Sequence, residues 1–178
     1  MTPVPALVFI VSALLASSNA AAMTLTSTDI TAGGAIPAAQ IYPRCGGHNI
    51  SPQLAWSGAP RAAKSLVLTM IDVDVAPSQW SHWIVVGLPT TASTLPRGTG
   101  SLPGGARALT SNFGDAAYAG PCPPKGTGVH HYQFTIWALS TATPDLLPDQ
   151  KASEVTAQLS RQAIDHASLV GWVQAPAG

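Results

Sequence analysis

Polar side chains in four short segments could together bind a small charged ligand. Three of them, residues 47–56, 72–77 and 120–132, contain glycine or proline residues that constrain the backbone, and the fourth is residues 82–83. Imidazoles and the backbone N–H groups of such loops can donate hydrogen bonds to an oxyanion, and a carboxylate can orient a histidine or accept a proton from the ligand. A carboxylate could also receive an ammonium group. These residue types therefore favour the binding of a small anion or zwitterion.

Catalysis is the weaker alternative. No serine lies in the G-x-S-x-G turn that activates a nucleophile in many hydrolases. Asp72, His82, His130 and His131 could ligate a metal ion, but their spacing matches no zinc motif, such as two histidines four residues apart on one helix. We therefore expect a protein that is not an enzyme, with no catalytic residue, no metal and no cofactor.

Strands must position these side chains. Three short runs rich in β-branched, aliphatic and aromatic residues predict buried strands at residues 65–71, 82–88 and 131–139. Alternation in the third run places Tyr132 and Phe134 on one face and His131 and Trp137 on the other. The stretch 96–128 is a Gly/Pro-rich loop, which we expect to be ordered and packed on the domain.

A single amphipathic helix is predicted near the C-terminus. Apolar residues recur every four positions along residues 154–164, and Ser153 is placed to be the N-cap. Residues 168–173 could add a last strand. Strands therefore outnumber helices, and the predicted fold is mainly β.

Length and composition predict one domain, residues 23–178. The sequence has 16 glycines and 16 prolines, which is typical of a turn-rich fold. Eight basic and eight acidic residues give a formal net charge of +0. Because no run of Lys or Arg is present to neutralise phosphates, a nucleic-acid partner is not expected.

The N-terminal residues 1–22 are predicted to be a secretory signal peptide. An apolar run from Ala6 to Ala16 is too short to span a membrane comfortably, and A-x-A-like sites end at Ala20 or Ala22. No Lys or Arg precedes the run. No later segment could cross a membrane, so we expect a periplasmic or secreted protein.

Two cysteines, Cys45 and Cys122, are present. In an oxidising compartment the economical interpretation is that they form a disulfide. Two separate buried thiols are the alternative.

Several short motifs follow one another in a recognisable order. They are N-x-S-P-x-L-x-W from Asn49, a D-x-D turn at Asp72, H-W at His82, and G-P-C-P-P-x-G from Gly120 followed by an H-x-Y strand. In this order and spacing they resemble the phosphatidylethanolamine-binding protein (PEBP) family, in its bacterial YbhB/YbcL-like branch. The resemblance covers residues 24–173.

The resemblance implies both a fold and a site. The fold is a central antiparallel β-sheet packed on a smaller sheet with a C-terminal α-helix, and a cavity at the end of the sheet accepts phosphate, phosphorylated phospholipid head groups or other small anions. The residues that match the family's ligand-binding positions are Asp72, Asp74, His82, His130 and Tyr132, with Gly120 and Pro121 as the rim. Without the resemblance, the aspartates could cap their own turn and the histidines could be satisfied core residues.

Three departures from the family pattern could reshape or weaken the pocket. Val73 stands where the family's D-P-D turn has its first proline, and the second proline, Pro77, is displaced by one residue. His131 stands in place of an arginine.

Three functions remain open at this point. The first is an exported protein that binds a small anionic or zwitterionic ligand. The second, which the resemblance also implies, is an inhibitor or regulator of a protease or kinase, although export argues against an intracellular kinase. The third is a weak or metal-dependent hydrolase.

Overall fold

The structure, a computed structural model, describes residues 22–146 and 150–178. The predicted signal peptide therefore lies outside the described residues, apart from Ala22. In chain order the elements are β1 (Thr24–Thr26), β2 (Leu54–Ser57), β3 (Ser65–Asp72), β4 (Trp80–Leu88), β5 (Thr94–Leu95), β6 (Arg107–Leu109), β7 (Val129–Leu139), α1 (Ala152–Gln162) and β8 (Ala163–Gln174). Two 3-10 helices, Pro43–Cys45 and Pro103–Gly105, lie in the loops.

The strands form two antiparallel sheets. The larger sheet has the order β6-β4-β3-β7-β8, and the smaller has the order β1-β2-β5. Every residue of the central strand β3 is buried. This burial explains why its sequence is a nearly continuous apolar run, since both faces of the strand are covered.

The larger sheet separates two hydrophobic clusters. On one face, residues such as Leu68, Trp83 and Phe134 pack with Leu54 and Trp56 of the smaller sheet. On the other face, Val67, Ile84 and Trp137 pack with Val155 and Leu159 of α1. The alternation predicted for residues 131–139 is confirmed, because neighbouring residues of β7 enter opposite clusters.

The structure corrects the boundaries predicted for the C-terminal elements. Helix α1 begins one residue before Ser153, so Ser153 is not its N-cap; Lys151 occupies that position without a side-chain hydrogen bond. The Ser153 N–H donates instead to the Ser78 carbonyl, 3.0 Å away. Residues 163 and 164, predicted as helix, open the long strand β8, because pairing with β7 along its whole length outweighs one more helical turn.

The Gly/Pro-rich stretch 96–128 is ordered but not purely a loop. It contains the 3-10 helix Pro103–Gly105 and the short strand β6, which pairs with β4 from Ile84 to Val86. This pairing covers the edge of the sheet beside the site described next.

Candidate ligand-binding site

Strand register brings the side chains of Asp72, Trp80 and Tyr132 to one end of the larger sheet. Asp72, the last residue of β3, is paired with Tyr132 of β7 on one side and with Trp80 of β4 on the other. Partners across an antiparallel ladder lie side by side. Trp80 and Tyr132 therefore lie on either side of Asp72, although they are 52 positions apart in the chain.

A β-bulge turns His82 toward the same place. Met70 pairs with Trp83 and the next residue, Ile71, pairs with Ser81, so His82 is the extra residue of β4. Simple alternation would put His82 on the face of Ile84, beneath the helix. Instead its ring lies 5.0 Å from the ring of Tyr132, edge to face. Bulges often re-aim a side chain beside a functional site.

These residues form one side of a cavity of about 520 Å³. The loops supply the rest of the wall. The complete lining consists of Tyr42, Arg44, Asp72, Val75, Trp80, His82, Asn112, Phe113, Cys122, Pro123, Pro124 and Tyr132.

His130 does not line the cavity but contacts the carboxylate of Asp72. Its Nδ1 lies 2.7 Å from Asp72 Oδ2, and both residues are buried. The other ring nitrogen, Nε2, lies 2.9 Å from the Thr127 hydroxyl oxygen, and that hydroxyl donates its own hydrogen to the Pro124 carbonyl. Both ring nitrogens of His130 are thus within hydrogen-bonding distance of an oxygen, which fixes the orientation of the ring.

Hydrogen bonds hold both oxygens of Asp72. The short contact between Nδ1 of His130 and Oδ2 of Asp72 requires a hydrogen between its two atoms. A backbone N–H from Asp74 donates to the second oxygen of Asp72 at 3.0 Å.

His82 is a neutral group in this site. Burial lowers its pKa from the usual 6.5 to about 4, and the hydrogen bond to the Ala119 carbonyl and the charge of Asp72 offset only part of that effect. Nδ1 lies 2.8 Å from the Ala119 oxygen and donates to it. The neutral ring therefore keeps its lone pair on Nε2, where it can accept a hydrogen bond.

Tyr132 brings a donor to the cavity. Its hydroxyl is buried and interacts with Asp72, but it makes no hydrogen bond of normal geometry within the described residues. Burial first, and then the charge of Asp72 and the interaction with its side chain, raise the pKa of this phenol well above its usual range, so it stays protonated. A buried hydroxyl without a well-formed hydrogen bond costs free energy unless a ligand or water satisfies it.

Asp74 and His131 form a separate pair outside the cavity. Asp74 Oδ2 accepts hydrogen bonds from the backbone N–H of His131 at 2.6 Å and from its ring at 2.9 Å. Partial burial alone would raise the pKa of Asp74, but these hydrogen bonds and the charge of His131 lower it. Both side chains are more than a third exposed, so Asp74 contributes to the Asp72 turn through its backbone and not to the lining.

The predicted rim residues Gly120 and Pro121 lie behind the wall. The Gly120 N–H donates to Asn49 Oδ1 at 2.7 Å, and a Cβ at this position would collide with the backbone of Gln40. The Pro121 carbonyl accepts a hydrogen bond from the Tyr42 N–H at 3.0 Å. Their role in the structure is to place Tyr42, which does line the cavity.

The two cysteines form a disulfide with Cα atoms 5.4 Å apart. The bond joins the end of the 3-10 helix Pro43–Cys45 to Cys122, whose side chain lines the cavity. It therefore holds two walls of the cavity together.

The sequence analysis missed several lining residues, notably Tyr42, Arg44, Trp80, Asn112 and Phe113. They come from loops and a strand end whose positions depend on tertiary contacts. One signal was available: Arg44 precedes Cys45, and Cys122 belongs to the motif that begins at Gly120. A disulfide between Cys45 and Cys122 places Arg44 beside the motif that begins at Gly120.

The described residues contain no group of three or more His, Cys, Asp or Glu side chains arranged to hold a metal ion. Of the four side chains considered as ligands above, His130 is directed to Asp72 and His131 to Asp74.

Comparison with known proteins identifies the family. Residues 26–174 match the family model described as phosphatidylethanolamine-binding protein. The UPF0098 protein YbcL of Escherichia coli strain K12 is 42% identical over 144 residues, which are 74% of this chain and 79% of YbcL. YbhB of the same organism is 40% identical over 138 residues, covering 74% of this chain and 85% of YbhB.

Structural similarity agrees with the sequence. The crystal structure of E. coli YbcL, described as a new member of the mammalian PEBP family, matches with a TM-score of 0.77 and 35% identity, over 85% of this chain and 98% of that one. The chain belongs to the PEBP family, in its YbhB/YbcL-like branch. The predicted fold, two antiparallel sheets with one C-terminal helix, is confirmed.

Two further findings concern the class of protein. A Mycobacterium tuberculosis protein named lipoprotein LppC is 35% identical over 150 residues, covering 84% of this chain and 71% of LppC. None of the three relatives named here carries the name of an enzyme.

Across residues 22–146 and 150–178, no helix has the length and apolar character needed to cross a membrane.

Proposed function

We propose that this protein binds a small phosphorylated or otherwise anionic ligand, including a zwitterionic head group, in the cavity at the end of the larger sheet. The observation that carries the proposal is the Tyr132 hydroxyl, a buried donor on the cavity wall with no partner at normal geometry among the described residues. An oxygen of the ligand would accept from it.

The charges of the lining favour an anion. His130 is hydrogen-bonded to Asp72, His82 is neutral, and Arg44 supplies a positive charge. Among the described residues Arg44 makes no ion pair, so its charge is available to a ligand. Although Asp72 lines the cavity, an entering anion does not meet an unpaired carboxylate.

The polar groups of the lining match a partly protonated oxyanion. Tyr132 can donate, and Asn112 can donate through its NH₂ group because its Oδ1 already accepts from the N–H and hydroxyl of Ser81. His82 Nε2 can accept a hydrogen from a ligand hydroxyl. A singly protonated phosphate or phosphate ester has acceptors and one donor on the same group, which suits this set.

Export to an oxidising compartment is part of the proposal. The Cys45–Cys122 disulfide is typical of exported proteins. A relative named as a lipoprotein supports the same location.

Titration calorimetry with phosphate, O-phosphoethanolamine and acetate on the wild type and on His82→Ala tests the proposal. We expect saturable binding of at least one of these ligands, weakened at least tenfold by His82→Ala. The control is His166→Ala, which removes an exposed imidazole opposite Trp137, far along the sheet. The proposal fails if none of the ligands binds, or if the two variants bind equally well.

A further inference from the structure

The outer part of the cavity is aromatic. Phe113 contacts three other rings at the wall: Tyr42 at 5.2 Å, His82 at 4.9 Å and Trp80 at 6.3 Å between centroids. Tilted and edge-to-face contacts of this kind hold the rings in fixed positions. The wall is therefore a preorganised apolar surface.

Trp80 is left uncovered by the protein. It is 40% exposed, although it is a large aromatic residue. Trp80 is the first residue of β4 and is paired with Asp72 of β3. Its edge contact with Phe113 leaves other parts of the indole free to meet a ligand. An exposed aromatic side chain beside a cavity is a common anchor for the apolar part of a ligand.

The cavity is also larger than a phosphate ion requires. Its volume of about 520 Å³ lies within the range of pockets that hold organic molecules, about 300–1,000 Å³. Polar side chains account for only part of the lining: Arg44, Asp72, His82, Asn112 and Tyr132. Apart from the disulfide-bonded Cys122, the remaining lining residues are apolar or aromatic: Tyr42, Val75, Trp80, Phe113, Pro123 and Pro124.

Arg44 adds a charge next to this aromatic wall. It lies two residues after Tyr42 on the 3-10 helix Pro43–Cys45, and the disulfide ties that helix to Cys122. Arg44 is the one lysine or arginine among the described residues that line the cavity. An arginine held beside aromatic rings can attract an anion and also stack on a planar group.

We propose that the ligand is a phosphomonoester that carries a planar aromatic group, and that Trp80, Phe113 and Arg44 determine this specificity. The phosphate meets Tyr132 and His82, and the aromatic group lies against Trp80 and Phe113. Arg44 stabilises the negative charge from the rim. This inference rests on the proposed function, because it assigns the remainder of the ligand bound at that site.

The test compares phenyl phosphate with ethyl phosphate, which has the same charged group without the ring, by titration calorimetry. We expect phenyl phosphate to bind the wild type about tenfold more tightly, the gain typical of one or two aromatic contacts. Trp80→Ala should reduce that preference to threefold or less. Arg44→Gln should weaken both ligands, by about tenfold.

Controls separate ligand contacts from loss of structure. Ile164→Ala removes an exposed apolar side chain of β8, and Arg61→Gln removes an exposed arginine outside the cavity; both should bind as the wild type does. Trp80→Leu keeps apolar bulk but not the ring, and it should lose the preference even if Trp80→Ala does not fold.

The outcomes distinguish this inference from the proposed function. If ethyl phosphate binds and His82→Ala weakens it, but phenyl phosphate gains nothing, only the aromatic specificity is wrong. A preference that survives both Trp80 variants also overturns it, as does tighter binding of O-phosphoethanolamine than of phenyl phosphate. If neither ester binds, the proposed function fails with it.

Discussion

At the scale of single residues, the site depends on two Asp–His pairs that differ in burial. The Asp72–His130 pair is buried, and each ring nitrogen of His130 is within hydrogen-bonding distance of an oxygen. The Asp74–His131 pair is exposed, although Asp74 lies two residues from Asp72 and His131 lies next to His130. A buried charge left without its partner is costly, whereas an exposed pair is screened by solvent.

Asp72→Ala and Asp74→Ala therefore form a matched comparison. We expect Asp72→Ala to lower the free energy of unfolding by about 3 kcal/mol and to abolish ligand binding. Asp74→Ala should lower it by less than about 1 kcal/mol. Urea denaturation at pH 7 measures both values. Equal losses in the two variants would contradict the role given to the buried pair.

His82 predicts a pH dependence of stability. In the unfolded chain its pKa is near 6.5, and in the folded protein burial lowers it to about 4. The unfolded state therefore binds the proton first as the pH falls, so stability is complete above pH 6.5 and is lost between pH 6.5 and 4. A shift of this size corresponds to about 3 kcal/mol.

Urea denaturation of the wild type and of His82→Phe at pH 7 and pH 4 isolates this contribution. The carboxylates titrate in both proteins, so the difference between their two pH responses belongs to His82. We expect the wild type to lose about 3 kcal/mol more than His82→Phe. The same loss in both proteins would show that His82 is not buried as a neutral ring.

At the scale of structural elements, the cavity joins a rigid part to a tethered part. Strands β3, β4 and β7 carry Asp72, His82 and Tyr132 and are joined by antiparallel hydrogen bonding, with the bulge at His82. Tyr42 and Arg44 instead belong to a loop segment held by the disulfide and by the hydrogen bond from Tyr42 to Pro121.

Removal of the disulfide should affect both stability and binding. The disulfide joins two cysteines that are 77 residues apart in the sequence. We expect the double variant Cys45→Ser, Cys122→Ser to lose about 2–5 kcal/mol of unfolding free energy. Ligand affinity should also fall, because Tyr42 and Arg44 are no longer held against the wall. Urea denaturation measures the stability of the variant and titration calorimetry its affinity, with the reduced wild type for comparison. Unchanged affinity would show that Tyr42 and Arg44 do not contact the ligand.

At the scale of the whole molecule, the fold was more predictable than the site. The three runs became β3, β4 and β7 because a run of β-branched, aliphatic and aromatic residues is a local property of the chain. The resemblance indicated Asp72, His82 and Tyr132, and strand register brings these three together. Arg44 and Phe113 could not be found in this way, because loop positions depend on contacts distant in sequence. The bulge at His82 is likewise a property of two paired strands and not of one.

A crystal structure of the protein grown with O-phosphoethanolamine tests the central claim most directly. We expect the phosphate group inside the cavity, with one oxygen at hydrogen-bonding distance, about 2.5–3.0 Å, from the Tyr132 hydroxyl. A second oxygen should lie near His82 Nε2. A head group bound at another surface, or a saturating concentration that leaves no ligand beside Tyr132, would contradict it.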